Sequence, residues 1–167
     1  MTIDTLLEYF TRYGQWILFL IVFLEYLNLP GLPAGIIMPA AGILISRSQM
    51  NFISALIVSV IAGLLGSIVL YYLGKFLGKP IIDKLQCKYP KMKKAVDKTY
   101  TYVNKYGDKG VLVARVIPVA RTIISIVAGV FNINFFKYLI YSTIGITMWN
   151  LAFIYAGYAF GYLFIGR

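Results

Sequence analysis

The sequence predicts an all-α polytopic membrane protein built as one domain over residues 1–167. Three observations predict this class. The chain is 60% hydrophobic with a mean hydropathy of +0.78, and only 13% of its residues are charged, whereas about a quarter are charged in an average soluble domain. Two long apolar segments are uninterrupted, and two others are broken by proline and glycine. The order of broken and then continuous segment occurs twice, which predicts two repeats.

Residues 3–13 precede the first repeat, and in them apolar side chains recur at helical spacing while charged ones fall on the other side. This pattern predicts a short amphipathic helix at the membrane interface. The apolar run 16–29 is shorter than the about 20 residues that a spanning helix needs. Pro30 to Gly35 then breaks the helix before a second apolar run, 36–45. A broken backbone at membrane depth is stable only inside protein or beside a cavity, so we expect a re-entrant hairpin.

Residues Phe52 to Leu73 form an uncharged apolar stretch, which predicts a transmembrane helix. The following segment, Lys75 to Lys109, contains ten lysines and three aspartates. The positive-inside tendency places this loop in the cytoplasm, where it lies beside anionic lipid headgroups. No signature of a nucleic-acid-binding module accompanies the charge. Pro90 can begin a helix with one apolar stripe, which predicts a second short interfacial helix.

The second repeat begins with Val111 to Ile133, an apolar stretch interrupted by Arg115, Pro118 and Arg121. Its broken and charged centre predicts a second re-entrant hairpin. Phe135 to Phe164 is again apolar and predicts the second transmembrane helix.

Matching small residues support the two repeats. Each broken segment ends in an Ala-Gly pair, and each continuous segment carries two glycines four residues apart near its end: Ala41-Gly42 and Ala128-Gly129, then Gly74 with Gly78 and Gly157 with Gly161. We interpret the four later glycines as helix-packing positions. With a cytoplasmic loop between them the repeats would be inverted, an architecture of transporters whose broken helices meet near the bilayer midplane.

Three charged residues within the apolar stretches are candidates for function. Arginine at membrane depth costs about 2.5 to 3.5 kcal/mol on insertion scales, and a guanidinium group binds phosphate through two parallel hydrogen bonds. Arg115 and Arg121 are therefore candidates for holding a lipid phosphate; alternatively they snorkel to the interface or form a structural ion pair. Glu25 is the acid within these stretches. It is either a counter-charge for the arginines, a proton carrier, or part of a fixed salt bridge.

Several function classes lack the residues they need. The sequence contains no histidine and one cysteine, Cys87, so it offers neither a disulfide framework nor a thiol or histidine metal site. It has no P-loop, no zinc-protease motif and no Ser-His pair. We therefore expect no enzyme activity, cofactor or metal. Residues 1–10 lack the basic start of a signal peptide, so we expect them to be retained.

The segment from Gly110 to Thr122 reads GVLVARVIPVART, and its R-x-x-P-x-x-R spacing resembles the signature of the DedA family in the VTT superfamily. The resemblance extends over about residues 15–162. Further matching positions are Glu25, Pro33, Gly42, Gly66, Tyr71, Gly74, Gly78, Tyr106-Gly107, Ala128-Gly129, Trp149 and Gly157-Tyr158. The resemblance implies two facing re-entrant hairpins and lipid translocation or scrambling, including undecaprenyl phosphate recycling and phosphatidylethanolamine transport. The family's essential glutamate would correspond to Glu25 and its paired arginines to Arg115 and Arg121.

We therefore expect a flippase or scramblase in the bacterial cytoplasmic membrane that moves a polyprenyl phosphate or a glycerophospholipid. Its site would comprise Arg115, Arg121, Glu25 and Pro118, and it would bind no nucleic acid. A homo-oligomer is compatible with the sequence. Gly35 and Ser67 stand where many family members carry acids, which weakens the case for the proton coupling that has been proposed for some of them. The alternatives are a proton-coupled antiporter of small cations and a non-transporting membrane scaffold.

Overall fold

The computed structural model describes residues 3–27, 34–47, 50–78, 93–117 and 120–165, together with positions 80, 84 and 87. These residues form seven α-helices and contain no strand, which confirms the all-α class. The helices are α1 (Ile3–Tyr26), α2 (Ala34–Arg47), α3 (Phe52–Leu77), α4 (Lys93–Tyr106), α5 (Gly110–Val116), α6 (Ala120–Val130) and α7 (Phe135–Phe160). A 3-10 turn, Gly107–Lys109, joins α4 to α5, and a π-helical turn, Gly161–Ile165, extends α7.

The long helices α3 and α7 have 26 residues each. At 1.5 Å per residue each is about 39 Å long, against a hydrocarbon core of about 30 Å. Both are long and apolar enough to cross a membrane, as the sequence predicts. Gly78 ends α3 with a φ of 59°, and its N–H donates to the Gly74 carbonyl at 2.9 Å. Its interpretation as a packing glycine is therefore wrong, because a left-handed residue that ends a helix is favoured as glycine.

The outward faces of α3 and α7 are apolar, and their inward faces carry polar groups. The exposed stripes are Ile53, Ile57, Ile61, Leu65 and Val69 on α3, and Phe136, Ile140, Ile144 and Met148 on α7. The buried polar residues of the same helices are Ser59, Ser67, Ser142 and Asn150. A buried helix of a soluble protein would not expose such long apolar stripes. This distribution fits helices that face lipid on one side and protein on the other.

Helix α1 differs from its prediction. It runs without interruption from Ile3 to Tyr26, so the separate amphipathic helix expected over 3–13 is wrong. Its sequence contains no proline, and Gly14 costs a helix only about 1 kcal/mol relative to alanine. Helix α2 is longer than predicted and includes Ala34 and Gly35, whereas Pro30 and Pro33 lie outside the described residues.

Helix α4 corresponds to the predicted second interfacial helix and begins at Lys93. Pro90, the expected first residue of this helix, lies outside the described residues. The interfacial position of α4 stays a prediction.

The chain forms two compact units. Unit 1 comprises Met1–Gly63 and Thr147–Arg167, and unit 2 comprises Leu64–Ile146. Each unit contains one pair of helices from a broken segment, α1 with α2 or α5 with α6, together with one half of α3 and one half of α7. Helix α1 contacts α2 within unit 1, and α5 contacts α6 within unit 2.

Both units pack the second helix of a broken segment against a long helix through glycines. In unit 1, a Cβ on Gly42 would overlap the Ile154 carbonyl oxygen of α7, and one on Gly157 would overlap the Pro39 carbonyl oxygen of α2. In unit 2, a Cβ on Gly129 would overlap the Tyr71 carbonyl oxygen of α3.

The reciprocal contact in unit 2 lies at Gly74 of α3, where a Cβ would overlap the Ile126 carbonyl oxygen of α6. The packing role predicted for Gly74 and Gly157 is confirmed. In each unit the long helix at this contact belongs to the other sequence repeat.

Candidate functional site

Two arginines flank the break between α5 and α6. Arg115 lies in the last turn of α5, which ends because Ile117 is extended, with φ −95° and ψ 121°. The residue before a proline is kept out of the helical region by the proline ring, and Pro118 follows. Pro118 itself lies outside the described residues. Helix α6 begins at Ala120, so Arg121 occupies its first turn.

The Arg115 side chain is 2% exposed and is held by hydroxyl groups. Its Nη2 atom shares its two hydrogens among three hydroxyl acceptors, Ser125 Oγ at 3.1 Å, the Tyr138 hydroxyl at 3.1 Å and Ser142 Oγ at 3.0 Å. These partners lie on α6 and α7, and all three are buried. Hydrogen bonds to a charged group are stronger than neutral ones, so the three hydroxyls fix one nitrogen of the guanidinium group.

Tyr138 holds this arrangement to the rest of unit 2. Its hydroxyl accepts from Arg115 and donates to the Ser67 carbonyl oxygen at 3.0 Å. Its ring stacks on Tyr71 with the ring centroids 4.7 Å apart, and the Tyr71 hydroxyl donates to the Ile133 carbonyl oxygen at 2.6 Å. The tyrosine is thus fixed at its ring and at its hydroxyl.

Three buried polar atoms in the described part of unit 2 have no hydrogen-bond partner in the protein. Among the described residues, Arg115 Nε, Arg115 Nη1 and Ser67 Oγ have no hydrogen-bond partner. A buried donor without an acceptor is unfavourable, so these two nitrogens favour an anion with free acceptor oxygens at Arg115.

Arg121 is 6% exposed, and its backbone N–H donates to the Ile117 carbonyl oxygen at 2.9 Å. The first turn of α6 contains no acidic residue. The positive end of the helix dipole therefore adds to the charge of Arg121, and both favour an anion.

Glu25 belongs to unit 1, where it lies in the last turn of α1 and is 5% exposed. The structure thus places the two arginines in one unit and the glutamate in the other. The pairing of Glu25 with the arginines stays a prediction. The neighbouring Tyr26 donates its hydroxyl hydrogen to Asn150 Oδ1 at 2.9 Å, and Asn150 Nδ2 donates to Ser59 Oγ at 3.2 Å.

Sequence reasoning did not identify the hydroxyl residues around Arg115. A signal was available, because the two long helices carry polar residues at matching positions. Ser59 and Ser67 are the eighth and sixteenth residues of α3, and Ser142 and Asn150 are the eighth and sixteenth residues of α7. The described residues contain no group of three or more acids or cysteines that could hold a metal ion.

Gly145 allows α7 to pass against the stem of Arg115. A Cβ at this position would lie 2.6 Å from Arg115 Cβ and 3.0 Å from Arg115 Cγ. Because Arg115 Cβ is fixed to the backbone, it cannot move aside as the end of a flexible side chain would.

We expect Gly145→Ala to displace Arg115 from its hydroxyl partners. Overpacking typically costs about 1–3 kcal/mol, which corresponds to a loss of about 5-fold to 160-fold in a rate that depends on this geometry. Lipid movement in proteoliposomes measures the loss. Gly35→Ala is the matched control, since nothing lies within 4 Å of the added methyl group, and equal rates for the two variants would contradict the assigned role of Gly145.

The sequence matches a known domain family and several bacterial proteins. The VTT domain family matches residues 32–159. The chain is 35% identical over 131 residues to undecaprenyl phosphate transporter A of Bacillus subtilis. The aligned region covers 78% of this chain and 66% of that protein. It is 33% identical over 163 residues to protein DedA of Escherichia coli, which covers 93% of this chain and 74% of that protein.

A more distant relative carries a different name. The chain is 25% identical over 163 residues to an alkaline phosphatase-like protein of Lactococcus lactis, which covers 95% of this chain and 76% of that protein. No solved structure matches the chain. The domain match and the relatives at 33% and 35% identity, all bacterial, agree with the apolar helices α3 and α7. The chain is therefore a bacterial membrane protein of the DedA family, which carries the VTT domain.

Proposed function

We propose that this protein moves a phosphate-bearing lipid across the bacterial cytoplasmic membrane. The observation that carries the proposal is the environment of Arg115. Its guanidinium group is buried, one nitrogen is fixed by three hydroxyls, and Nε and Nη1 have no acceptor among the described residues. A phosphate group has several acceptor oxygens and a negative charge, and arginine binds it with directed hydrogen bonds.

The lipid is a polyprenyl phosphate or a glycerophospholipid. The relative with 35% identity is named for undecaprenyl phosphate transport, which supports the first of these. Only the headgroup needs a polar environment during transfer, since its hydrocarbon chain can remain in the bilayer. Arg115 and Arg121 would hold the phosphate, because the break at Pro118 would place one arginine on each side of the phosphate. Glu25 would balance the charge of the arginines.

The two broken segments are proposed to be re-entrant hairpins in inverted repeats. Equivalent glycine contacts in the two units support this arrangement, as do the polar residues at the eighth and sixteenth positions of α3 and α7. The lysine-rich segment from Lys75 to Lys109 would face the cytoplasm.

Reconstitution into liposomes with a labelled polyprenyl phosphate or phospholipid tests the proposal. Transfer of the label between leaflets supports lipid movement. Cation flux without lipid transfer would support the antiporter instead, and neither activity would support a scaffold. Release of inorganic phosphate from the labelled lipid would show a phosphatase activity, which the name of the more distant relative suggests for that protein.

Glu25→Gln tests whether the glutamate is a counter-charge or a proton carrier. We expect the variant to lower lipid movement about tenfold, because it leaves the arginine charge uncompensated while keeping the side-chain volume. We also expect wild-type movement to respond little to an imposed pH gradient, since Gly35 and Ser67 supply no second acid. A reversible acceleration by the gradient that disappears in Glu25→Gln would establish proton coupling.

A further inference from the structure

The two units contain equivalent polar positions on the long helices, but their hydrogen bonding differs. In unit 1 the polar groups at these positions are linked by successive hydrogen bonds that begin at Tyr26 and end at a backbone carbonyl. Tyr26 donates to Asn150, Asn150 donates to Ser59, and Ser59 Oγ donates to the Leu56 carbonyl oxygen at 2.7 Å. Tyr26, Asn150 and Ser59 thus each donate to a protein acceptor. A structural role is sufficient to explain these three residues.

In unit 2 the equivalent positions are Ser142, which matches Ser59, and Ser67, which matches Asn150. Here some hydrogen-bonding groups have no protein partner among the described residues. Ser142 Oγ accepts from Arg115, as does Ser125 Oγ. A serine hydroxyl that accepts a hydrogen bond keeps its own hydrogen for a further acceptor. Ser67 Oγ is 1% exposed and has no partner among the described residues.

The hydroxyls of Ser125 and Ser142 contact Arg115 directly. The Tyr138 hydroxyl is within hydrogen-bond distance of Arg115 Nη2 and of the backbone carbonyl oxygen of Ser67, so the Ser67 backbone and the guanidinium group contact the same hydroxyl. Arg115 Nε and Nη1 can only donate, and the hydroxyls of Ser67, Ser125 and Ser142 each carry a hydrogen that can be donated. These donors are complementary to an anion with several acceptor oxygens.

We infer that Ser67, Ser125 and Ser142 bind the same phosphate group as Arg115, each as a hydroxyl donor. This inference rests on the proposed function and adds these residues to its site. Three hydroxyl donors beside an arginine favour the form of phosphate that carries more charge. A phosphate monoester gains its second charge with a pKa of about 6, so binding strengthens as the pH rises through that value.

Binding of farnesyl phosphate, a short polyprenyl monophosphate, to the detergent-solubilised full chain tests the inference by calorimetry. Ser142→Ala removes one hydroxyl donor, and Ser59→Ala is its matched control at the equivalent position of unit 1. We expect Ser142→Ala to weaken binding about tenfold, as for loss of one hydrogen bond to a charged group, and Ser59→Ala to leave the affinity unchanged.

Ser67→Ala separates ligand binding from structure, because its Oγ makes no hydrogen bond that the substitution could break. We expect this variant to keep or raise the melting temperature, since it removes a buried polar atom without a partner. Its affinity for farnesyl phosphate should nevertheless fall, and the rise in affinity between pH 5 and pH 7 should become smaller than in the wild type.

Unchanged affinity in both Ser67→Ala and Ser142→Ala would overturn the inference, as would equal losses in Ser142→Ala and Ser59→Ala. If the wild type moves lipid and Arg115 is needed but the serine variants behave normally, only the inference fails. If the wild type binds farnesyl phosphate through the serines but moves no lipid, the proposed function fails and the inference stands.

Discussion

Replacing Arg115 with lysine slows lipid movement by at least about tenfold, because lysine offers one point charge where arginine offers a planar fork of donors. In the wild type, Nη2 is committed to Ser125, Tyr138 and Ser142, and Nε and Nη1 are left for phosphate. A lysine ammonium group cannot serve three hydroxyls and a phosphate at once. The rate of transfer in proteoliposomes measures this effect.

The matched control for Arg115→Lys is Arg47→Lys, which makes the same chemical change at the exposed end of α2. Both variants should elute as monodisperse protein, since the charge and most of the side-chain volume are retained. A wild-type rate for Arg115→Lys would show that charge alone suffices at this position, and the directed grip on phosphate would then be wrong.

Gly129→Ala prevents normal packing of unit 2. The added methyl group would overlap the Tyr71 carbonyl oxygen and lie 2.7 Å from the Lys75 backbone nitrogen. Backbone atoms cannot rotate away, so α6 and α3 must separate. We expect the free energy of unfolding to fall by about 1–3 kcal/mol, the usual range for overpacking. This loss appears as a large fall in melting temperature and in the yield of folded protein.

Two further variants make this test specific. Gly42→Ala in unit 1 should be about as harmful, since its methyl group meets the backbone at Ile154 and Tyr158. Gly35→Ala should be neutral or stabilising by up to about 1 kcal/mol through helix propensity, because its methyl group meets nothing within 4 Å. A wild-type melting temperature for Gly129→Ala would exclude the close helix contact.

The long helices were predictable because their composition alone determines them. Phe52 to Leu73 and Phe135 to Phe164 are apolar and long enough to cross a membrane as helices. Pro118 determines where α5 ends, because it keeps Ile117 out of the helical region. The continuity of α1 was not predictable from periodicity. Its N-terminal residues have an apolar and a charged face, whereas the later residues are almost all apolar. The backbone hydrogen bonding of the helix nevertheless continues across that change in composition.

The arginines of the site were predictable because a charge in an apolar segment is conspicuous. The residues that hold Arg115 were not, since Ser125, Tyr138 and Ser142 are ordinary residues of apolar helices until folding brings them to one nitrogen. Comparison of the two repeats does show that polar residues have the same spacing in α3 and α7. This spacing is a sequence signal for Ser142, one of the residues that hold Arg115. The partner of Glu25 was not predictable, because a sequence does not show which distant residues folding brings to a buried carboxylate.

We propose that a lipid phosphate binds at the guanidinium group of Arg115, and a structure of the protein in nanodiscs with farnesyl phosphate tests this binding. We expect phosphate density within hydrogen-bond distance of Arg115 Nε or Nη1, with the hydroxyls of Ser67, Ser125 and Ser142 directed toward its oxygens. Phosphate bound elsewhere, with the open nitrogens of Arg115 occupied by the Glu25 carboxylate, would contradict it.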